Sequence, residues 1–231
     1  MKRMRIHREG RNLLLIVLFI IASLFVFFLC YPDKTLTIVL LSLMAILLLF
    51  VLYFFRNPER EIIIDDSSFV IAPADGRVVV VEPTMENDYF HEQRMQVSIF
   101  MSPFNVHANW YPIEGDVILS EHQKGRHQAA WLPKSSTENE RSAVIIKAEN
   151  GQTILVRQIA GAMARRIVTY AKAGKKAHIN QHLGFIKLGS RVDVYLPMDA
   201  EIYVTGGELV TGNETIIAQL NDSNKQESKK E

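Results

Sequence analysis

Three short stretches of this 231-residue chain carry residue types that can do chemistry, and each also has a plain structural reading. Ala74-Asp75-Gly76-Arg77 puts a carboxylate beside a glycine ahead of an apolar run. Asp and Gly also favour β-turns for backbone reasons alone. The segment from Met101 to Pro112 places His107 straight after a strand-like run, among Pro, Asn, Trp and Tyr. An imidazole there either lines a pocket as an acid or base, or sits half-buried on a fixed hydrogen bond. Leu188-Gly189-Ser190-Arg191 sets a hydroxyl behind a glycine between two strand-like runs, and Gly-Ser is equally ordinary turn chemistry. There is no H-E-x-x-H, G-x-S-x-G, Walker loop or paired-Cys site. His178 and His182 are four apart, but Gly174 and Gly184 flank them and no helix is evident, so no metal is expected.

The elements that position these residues follow from hydrophobic period. After Phe55 the period falls to about two, which marks strands. Candidate strands are Phe69 to Ile71, Arg77 to Glu82, Arg94 to Met101, Asp116 to Ser120, Ala143 to Ala148, Thr153 to Ile159, Phe185 to Lys187, Arg191 to Leu196 and Glu201 to Val204. Pro73 to Gly76, Glu114-Gly115, Asn150-Gly151 and Gly206-Gly207 separate them as turns. The expected fold is mainly β (α+β), a barrel or sandwich. An amphipathic helix or helical turn is expected near Ala162 to Tyr170, and Gln123 to Arg141 is expected as a polar irregular loop. The Asp75-Gly76 turn and the late Gly207 to Ile216 segment resemble lipoyl-type hairpins, with no modifiable lysine at a tip. Beyond that echo no internal repeat is expected.

Apolar residues make up 48% of the chain, unevenly spread. Leu13 to Tyr31 and Leu36 to Phe55 are uncharged runs of 19 and 20 residues, each long enough to cross a hydrocarbon core. Pro32 to Thr35 between them reads as a turn. The pair is expected as a transmembrane helical hairpin over 12–55, not a signal peptide, because no small-residue cleavage site follows and a second run comes at once. Residues 1–11 carry five Lys and Arg against Glu9; with Arg56 and Arg60 they place both ends, and the following domain, on the cytoplasmic side. From Arg56 onward 20 Lys and Arg face 23 Asp and Glu, which gives no basis for nucleic-acid binding. Cys30, the sole cysteine, lies inside an apolar run, which excludes a disulfide-stapled fold. Residues 56–220 are expected as one domain and 221–231 as a disordered charged tail.

Taken in order behind the hairpin, the three stretches resemble phosphatidylserine decarboxylase, in its short bacterial and archaeal-type proenzyme form. The resemblance runs from Arg56-Asn57-Pro58 to Leu220. It includes Ala74-Asp75-Gly76, the FMSPFNVHAN run at 100–109, Ala164-Arg165-Arg166-Ile167, and the FIKLGSRVDVYLP run at 185–197. It implies that Ser190 attacks the carbonyl of Gly189, that the chain breaks by β-elimination, and that residue 190 becomes a pyruvoyl group. The products would be a β chain of residues 1–189 and an α chain of residues 190–231, held as a heterodimer. It further implies decarboxylation of phosphatidylserine in the bilayer to phosphatidylethanolamine and CO2. The ketone forms a Schiff base with the substrate amine and accepts the charge that departing CO2 leaves, a task no ordinary side chain performs.

On the same resemblance His107 orients substrate or relays a proton, and Asp75 belongs to an Asp-His-Ser set for self-cleavage. Trp110 stands where the longer family form has a second histidine, so the processing base is open; His178, His182 and Asp75 acting through water are the alternatives. Arg165, Arg166 and Lys172 are candidates for the lipid phosphate. An ether-lipid serine headgroup would suit the same residues. The residues alone also admit a membrane-anchored β-barrel adaptor without activity, or a serine hydrolase acting on lipids.

Overall fold

The computed structural model describes residues 4–30, 34–125, 139–161, 166–187 and 190–221. The chain divides into two compact units at Glu59 and Arg60.

In the first unit, helices α1 (Arg11–Cys30) and α2 (Lys34–Phe54) are long and apolar enough to cross a membrane. Both are apolar all round, without the polar face that a surface helix of a soluble domain carries. Two of their hydroxyls bond back along the helix, Ser23 Oγ to Phe19 O and Ser42 Oγ to Ile38 O, each at 2.9 Å, and so are satisfied within their own helices. Strand β1 (Met4–Ile6) pairs antiparallel with β2 (Arg56–Pro58), and His7 N donates to Phe55 O at 2.8 Å. The basic N-terminal segment and the exit of α2 therefore lie at one end of the hairpin.

The second unit is almost entirely strand. Its strands are β3 (Phe69–Ile71), β4 (Gly76–Glu86), β5 (Glu92–Met101), β6 (Ala108–Trp110), β7 (Gly115–Gln123), β8 (Arg141–Ala148), β9 (Thr153–Ala160), β10 (Arg166–Thr169), β11 (Lys176–Ala177), β12 (His182–Lys187), β13 (Ser190–Leu196), β14 (Glu201–Ile202), β15 (Leu209–Val210) and β16 (Ile216–Gln219). Eight form one curled sheet in the order β11-β7-β8-β9-β13-β5-β4-β15; the orders β10-β12-β6 and β14-β16-β3 make two smaller sheets. All nine expected strands are present, several longer than the alternation suggested. The described part of the expected helical turn, Arg166–Thr169, is instead a strand laid along β12. Four residues are too few for helical period to be told from alternation, and pairing decides. Residues 126–138 of the expected loop and 222–231 of the expected tail lie outside the described residues.

The unit also contains a repeat that residue identities conceal. Pro73–Gly76 leads into β4 as Pro112–Gly115 leads into β7, and both strands carry a bulge just beyond, at Val78/Val80 and at Val117/Leu119. A Cβ on Gly76 or Gly115 would lie 2.2 Å from a neighbouring strand carbonyl, Phe100 O or Lys147 O, so only glycine fits there. Each strand start pairs with a late short strand, β15 on β4 and β11 on β7. The halves are stitched reciprocally. Trp110 N donates to Pro73 O, and Ile71 N to Pro112 O. Asn180 and Asn213, both at positive φ (69° and 59°), bond each other in both directions. The sequence echo thus linked two partners of one half, the β4 and β15 turns; the repeated pieces are 73–76 with 112–115.

The core packs on one face of the large sheet, around Val97, Ile99, Val156, Val192 and Val194. The other face carries buried charges that pair with one another. Arg191 chelates Asp193, while Arg157 Nη2 bonds Glu86 Oε1 at 2.8 Å and Asp88 Oδ2 at 2.9 Å.

Candidate active site

Ser190 opens β13, the strand held between β5 and β9 in the middle of the large sheet. Register sets it opposite Met101 on one side and Ala160 on the other, and it is fully buried. Strand alternation turns Ser190 to the core face with Val192, Val194 and Leu196. Its Oγ donates to Met101 Sδ at 3.4 Å. The same sulfur accepts from Asn109 Nδ2 at 3.6 Å, Asn109 Oδ1 accepts from Gln158 Nε2 at 2.7 Å, and Gln158 Oε1 accepts from Ser142 Oγ and Thr169 Oγ1, each at 2.8 Å. Burial of so many polar groups is tolerable because each has a partner. The thioether is the weak acceptor in this chain, so the Ser190 hydroxyl is oriented without being tightly held.

Topology brings His107 to the same junction. The β5–β13 pair of the large sheet continues as the β6–β12 pair of a small one: Ser190 opposes Met101, Phe185 opposes Ala108, and Ile186 N donates to His107 O at 3.2 Å. Lys187 and Ser190 are thus both bordered by the segment Met101–Ala108. That segment is an ordered turn, since Asn105 Oδ1 accepts from Ser102 N and Oγ, and Asn105 N donates to Ser102 O. His107 is fully buried, with Nδ1 3.0 Å from Asn105 O. A carbonyl only accepts, so Nδ1 holds a proton and Nε2 is the proton-accepting nitrogen of the neutral ring.

Asp75 stands apart. It precedes β4, which is two strands from β13, roughly 10 Å by inter-strand spacing. Its carboxylate is bidentate on Arg60, at 2.5 Å from Nη1 and 2.9 Å from Nη2, and Oδ1 also accepts from Gly212 N at 2.8 Å. Arg60 Nη1 donates in turn to Gly212 O at 2.8 Å, and the guanidinium lies 5.1 Å from the Trp110 ring. Trp110 is buried edge-on against His182 at 5.3 Å. In the other half of the repeat Glu114 takes the place of Asp75. Its Oε1 accepts from Ile179 N at 2.8 Å, but its charge partner is the half-exposed His178 at 3.0 Å.

The structure therefore brings Ser190 and the His107 segment together, and sets Asp75, His178 and His182 at other points of the domain. Gly189 and Arg165 lie outside the described residues. Arg166 is exposed and directly opposes Lys187 in the β10–β12 ladder, at the end next to Ser190; Lys172 is exposed beyond β10. Among the described residues there is no cluster of ligands for a metal. Arg60, Met101, Asn109 and Gln158 were not singled out from sequence. Gln158 had a readable signal, as the polar residue on the apolar face of Ile154, Val156 and Ala160. Arg60, 15 residues from Asp75 in an irregular segment, had none.

Comparison with known proteins places the chain in a family. The family model for phosphatidylserine decarboxylase matches residues 47–218. A phosphatidylserine decarboxylase proenzyme of Parabacteroides distasonis is 51% identical over 218 residues, covering 94% of this chain and 99% of the relative. One from Bacteroides fragilis is 50% identical over 221 residues, covering 95% and 97%. One from Cytophaga hutchinsonii is 45% identical over 221 residues, covering 94% and 99%. With a family match spanning most of its length, and half its residues shared with full-length relatives, the chain belongs to the phosphatidylserine decarboxylase family.

Proposed function

We infer that the chain is a self-processing, pyruvoyl-dependent decarboxylase that converts phosphatidylserine to phosphatidylethanolamine and CO2. The observation that carries this reading is the placement of Ser190, a buried hydroxyl at the junction of two sheets, with the His107 turn along both described flanks of the Gly189–Ser190 bond. In the processing step Oγ of Ser190 bonds to the Gly189 carbonyl carbon as the Gly189 C–N bond breaks, leaving an ester. Loss of the Ser190 Cα proton expels the Gly189 carboxylate, and the dehydroalanine takes up water and releases ammonia to leave a terminal ketone.

The residues present fit that group. Asn109 Nδ2 donates to a thioether it shares with Ser190, and a keto oxygen at residue 190 is a better acceptor for the same donor. Asn109 would hold it. The pyruvoyl ketone supplies the electron sink that side chains lack. His107 orients the substrate or relays to its Cα the proton that takes the place of CO2, with its ring fixed through Nδ1 by Asn105 O. Arg166, with Arg165 beside it in sequence, binds the lipid phosphate. Asp75 acts through Arg60 and the Gly212 turn, which close over Trp110.

The helices α1 and α2 cross the membrane as a hairpin over residues 12–55, with residues 1–11 and the domain of residues 56–220 on the cytoplasmic side. The paired β1 and β2 support a common side for the two ends. A diacyl lipid does not leave the bilayer readily, at about 0.8 kcal/mol per buried CH2, so the catalyst is held at the headgroup layer. After processing, the chains 1–189 and 190–231 remain together as a heterodimer.

Intact-mass analysis of the purified protein tests the reading. Two chains split between 189 and 190 are expected, with the smaller one carrying a carbonyl-reactive terminus. Ser190→Ala should leave a single 26.3 kDa chain without activity. Normal cleavage of that variant, or an unaltered serine in active wild-type material, overturns the assignment.

A further inference from the structure

We propose that the turn Ser102–Val106 is a lipid-docking surface, in which Phe104 enters the anionic leaflet beside the reaction centre. This rests on the function proposed above, because it asks how a buried residue 190 meets a substrate that stays in the bilayer. Phe104 is 70% exposed, an aromatic ring presented to solvent from a turn bordering Ser190 and His107. The turn is not a slack loop. Pro103 restricts it, and the Ser102–Asn105 hydrogen bonds fix its backbone, so the ring is displayed without the entropy cost of ordering a flexible segment.

Charge beside it selects the kind of surface. Arg166 and Lys187 are direct cross-strand partners at the end of the β10–β12 ladder that adjoins this turn. Lys187 follows Ile186, whose N–H bonds the carbonyl of His107, three residues from Phe104. The two side chains put positive charge at that end of the ladder, and an anionic leaflet attracts each basic residue near it. An exposed aromatic ring flanked by cations suits the interface of an anionic membrane, where one part is buried and the other meets headgroups.

The test uses the full chain, processed and reconstituted in phosphatidylcholine vesicles. Phosphatidylserine is supplied either in the same bilayer or as a short-chain analogue dispersed as monomers in water. Phe104→Ala should lower kcat/KM on bilayer substrate about tenfold, chiefly through KM, the factor that burial of part of one large apolar side chain supplies. On the monomeric analogue its loss should stay under twofold, and Phe104→Leu should recover most of the bilayer activity. In Phe104→Trp protein, the added emission should be quenched by phosphatidylcholine brominated in its acyl chains. Equal losses on both substrates, or added emission that brominated chains leave unchanged, overturn the docking surface while the decarboxylase reading stands. Wild-type protein that decarboxylates neither substrate overturns the functional reading instead.

Discussion

Replacing Arg60 by methionine should weaken the domain far more than the equivalent change in the other half of the repeat. The Arg60 and Asp75 side chains are only 10% and 12% exposed, and Arg60 makes three close hydrogen bonds, two to the carboxylate and one to Gly212 O. Methionine keeps the stem's packing and removes the charge, leaving a buried carboxylate with Gly212 N as its remaining bond. Stranding one member of a buried pair costs about 3–5 kcal/mol. The slight residual exposure of both groups points to the lower figure, about 3 kcal/mol. For a domain of this size that corresponds to a fall in melting temperature of roughly 6–12 °C. Glu114→Gln is the internal control, because Glu114 makes the same kind of bond to a turn N–H, yet its partner His178 is 49% exposed. It should cost under about 1 kcal/mol. Thermal unfolding of the detergent-solubilised full chain, followed by near-ultraviolet circular dichroism and by tryptophan emission, reads both, since Trp110 lies 5.1 Å from Arg60. Asp75→Asn in the Arg60→Met background should then add little, because the two act as one unit. A loss below 1 kcal/mol for Arg60→Met, or equal losses at the two sites, would refute the claim that Asp75 works through a buried clamp.

Two further outcomes follow from other parts of the domain. Met101→Leu keeps volume and apolar character but removes the acceptor of the Ser190 hydroxyl; conversion of the intact chain to two chains, timed on denaturing gels, should slow about fivefold, and an unchanged rate would remove the sulfur from the account. Burial pushes the Glu86 carboxyl up, but three backbone N–H groups and the Arg157 guanidinium outweigh it and hold the group below the ordinary carboxylate range. The stability it contributes is therefore complete above the unfolded value, about 4.3, and is lost as pH falls through the lower folded value. Urea midpoints measured from pH 6 down to pH 3 should drop more steeply for the wild type than for Glu86→Gln; parallel curves would contradict this.

The strands and the membrane-length helices were legible because each is fixed by a local pattern. Alternation in Arg94 to Met101 or Arg191 to Leu196 follows from one face meeting the core, and uncharged runs of 19 and 20 residues have few uses in water. What stayed hidden depends on pairing between distant segments. Arg166–Thr169 reads as strand only once β12 lies beside it. The repeat escaped notice because it conserves backbone events, a bulge and a positive-φ asparagine, while the side chains diverge: Asp75 against Glu114, Arg60 against His178. Within the site, Ser190 and His107 were marked by their resemblance to a family motif. Met101 and Asn109 lie in the same motif but take no role from it, and Gln158 lies outside it, because an inward amide or thioether acquires its role only from the partner opposite it.

With the break proposed at residue 190, the position of β13 also governs when the chain can cut itself. Its two neighbours, β5 and β9, precede it in the chain, and the middle of the large sheet stays vacant until translation supplies that strand. Residue 190 acquires Met101 and Ala160 as flanks only at that moment, so a nascent or prematurely ended polypeptide lacks the setting for the break. Once the strand is zipped in on both edges, the severed pieces resemble a garment fastened down its midline: separating them means unravelling the sheet itself, and the scission costs the assembled protein almost none of its cohesion.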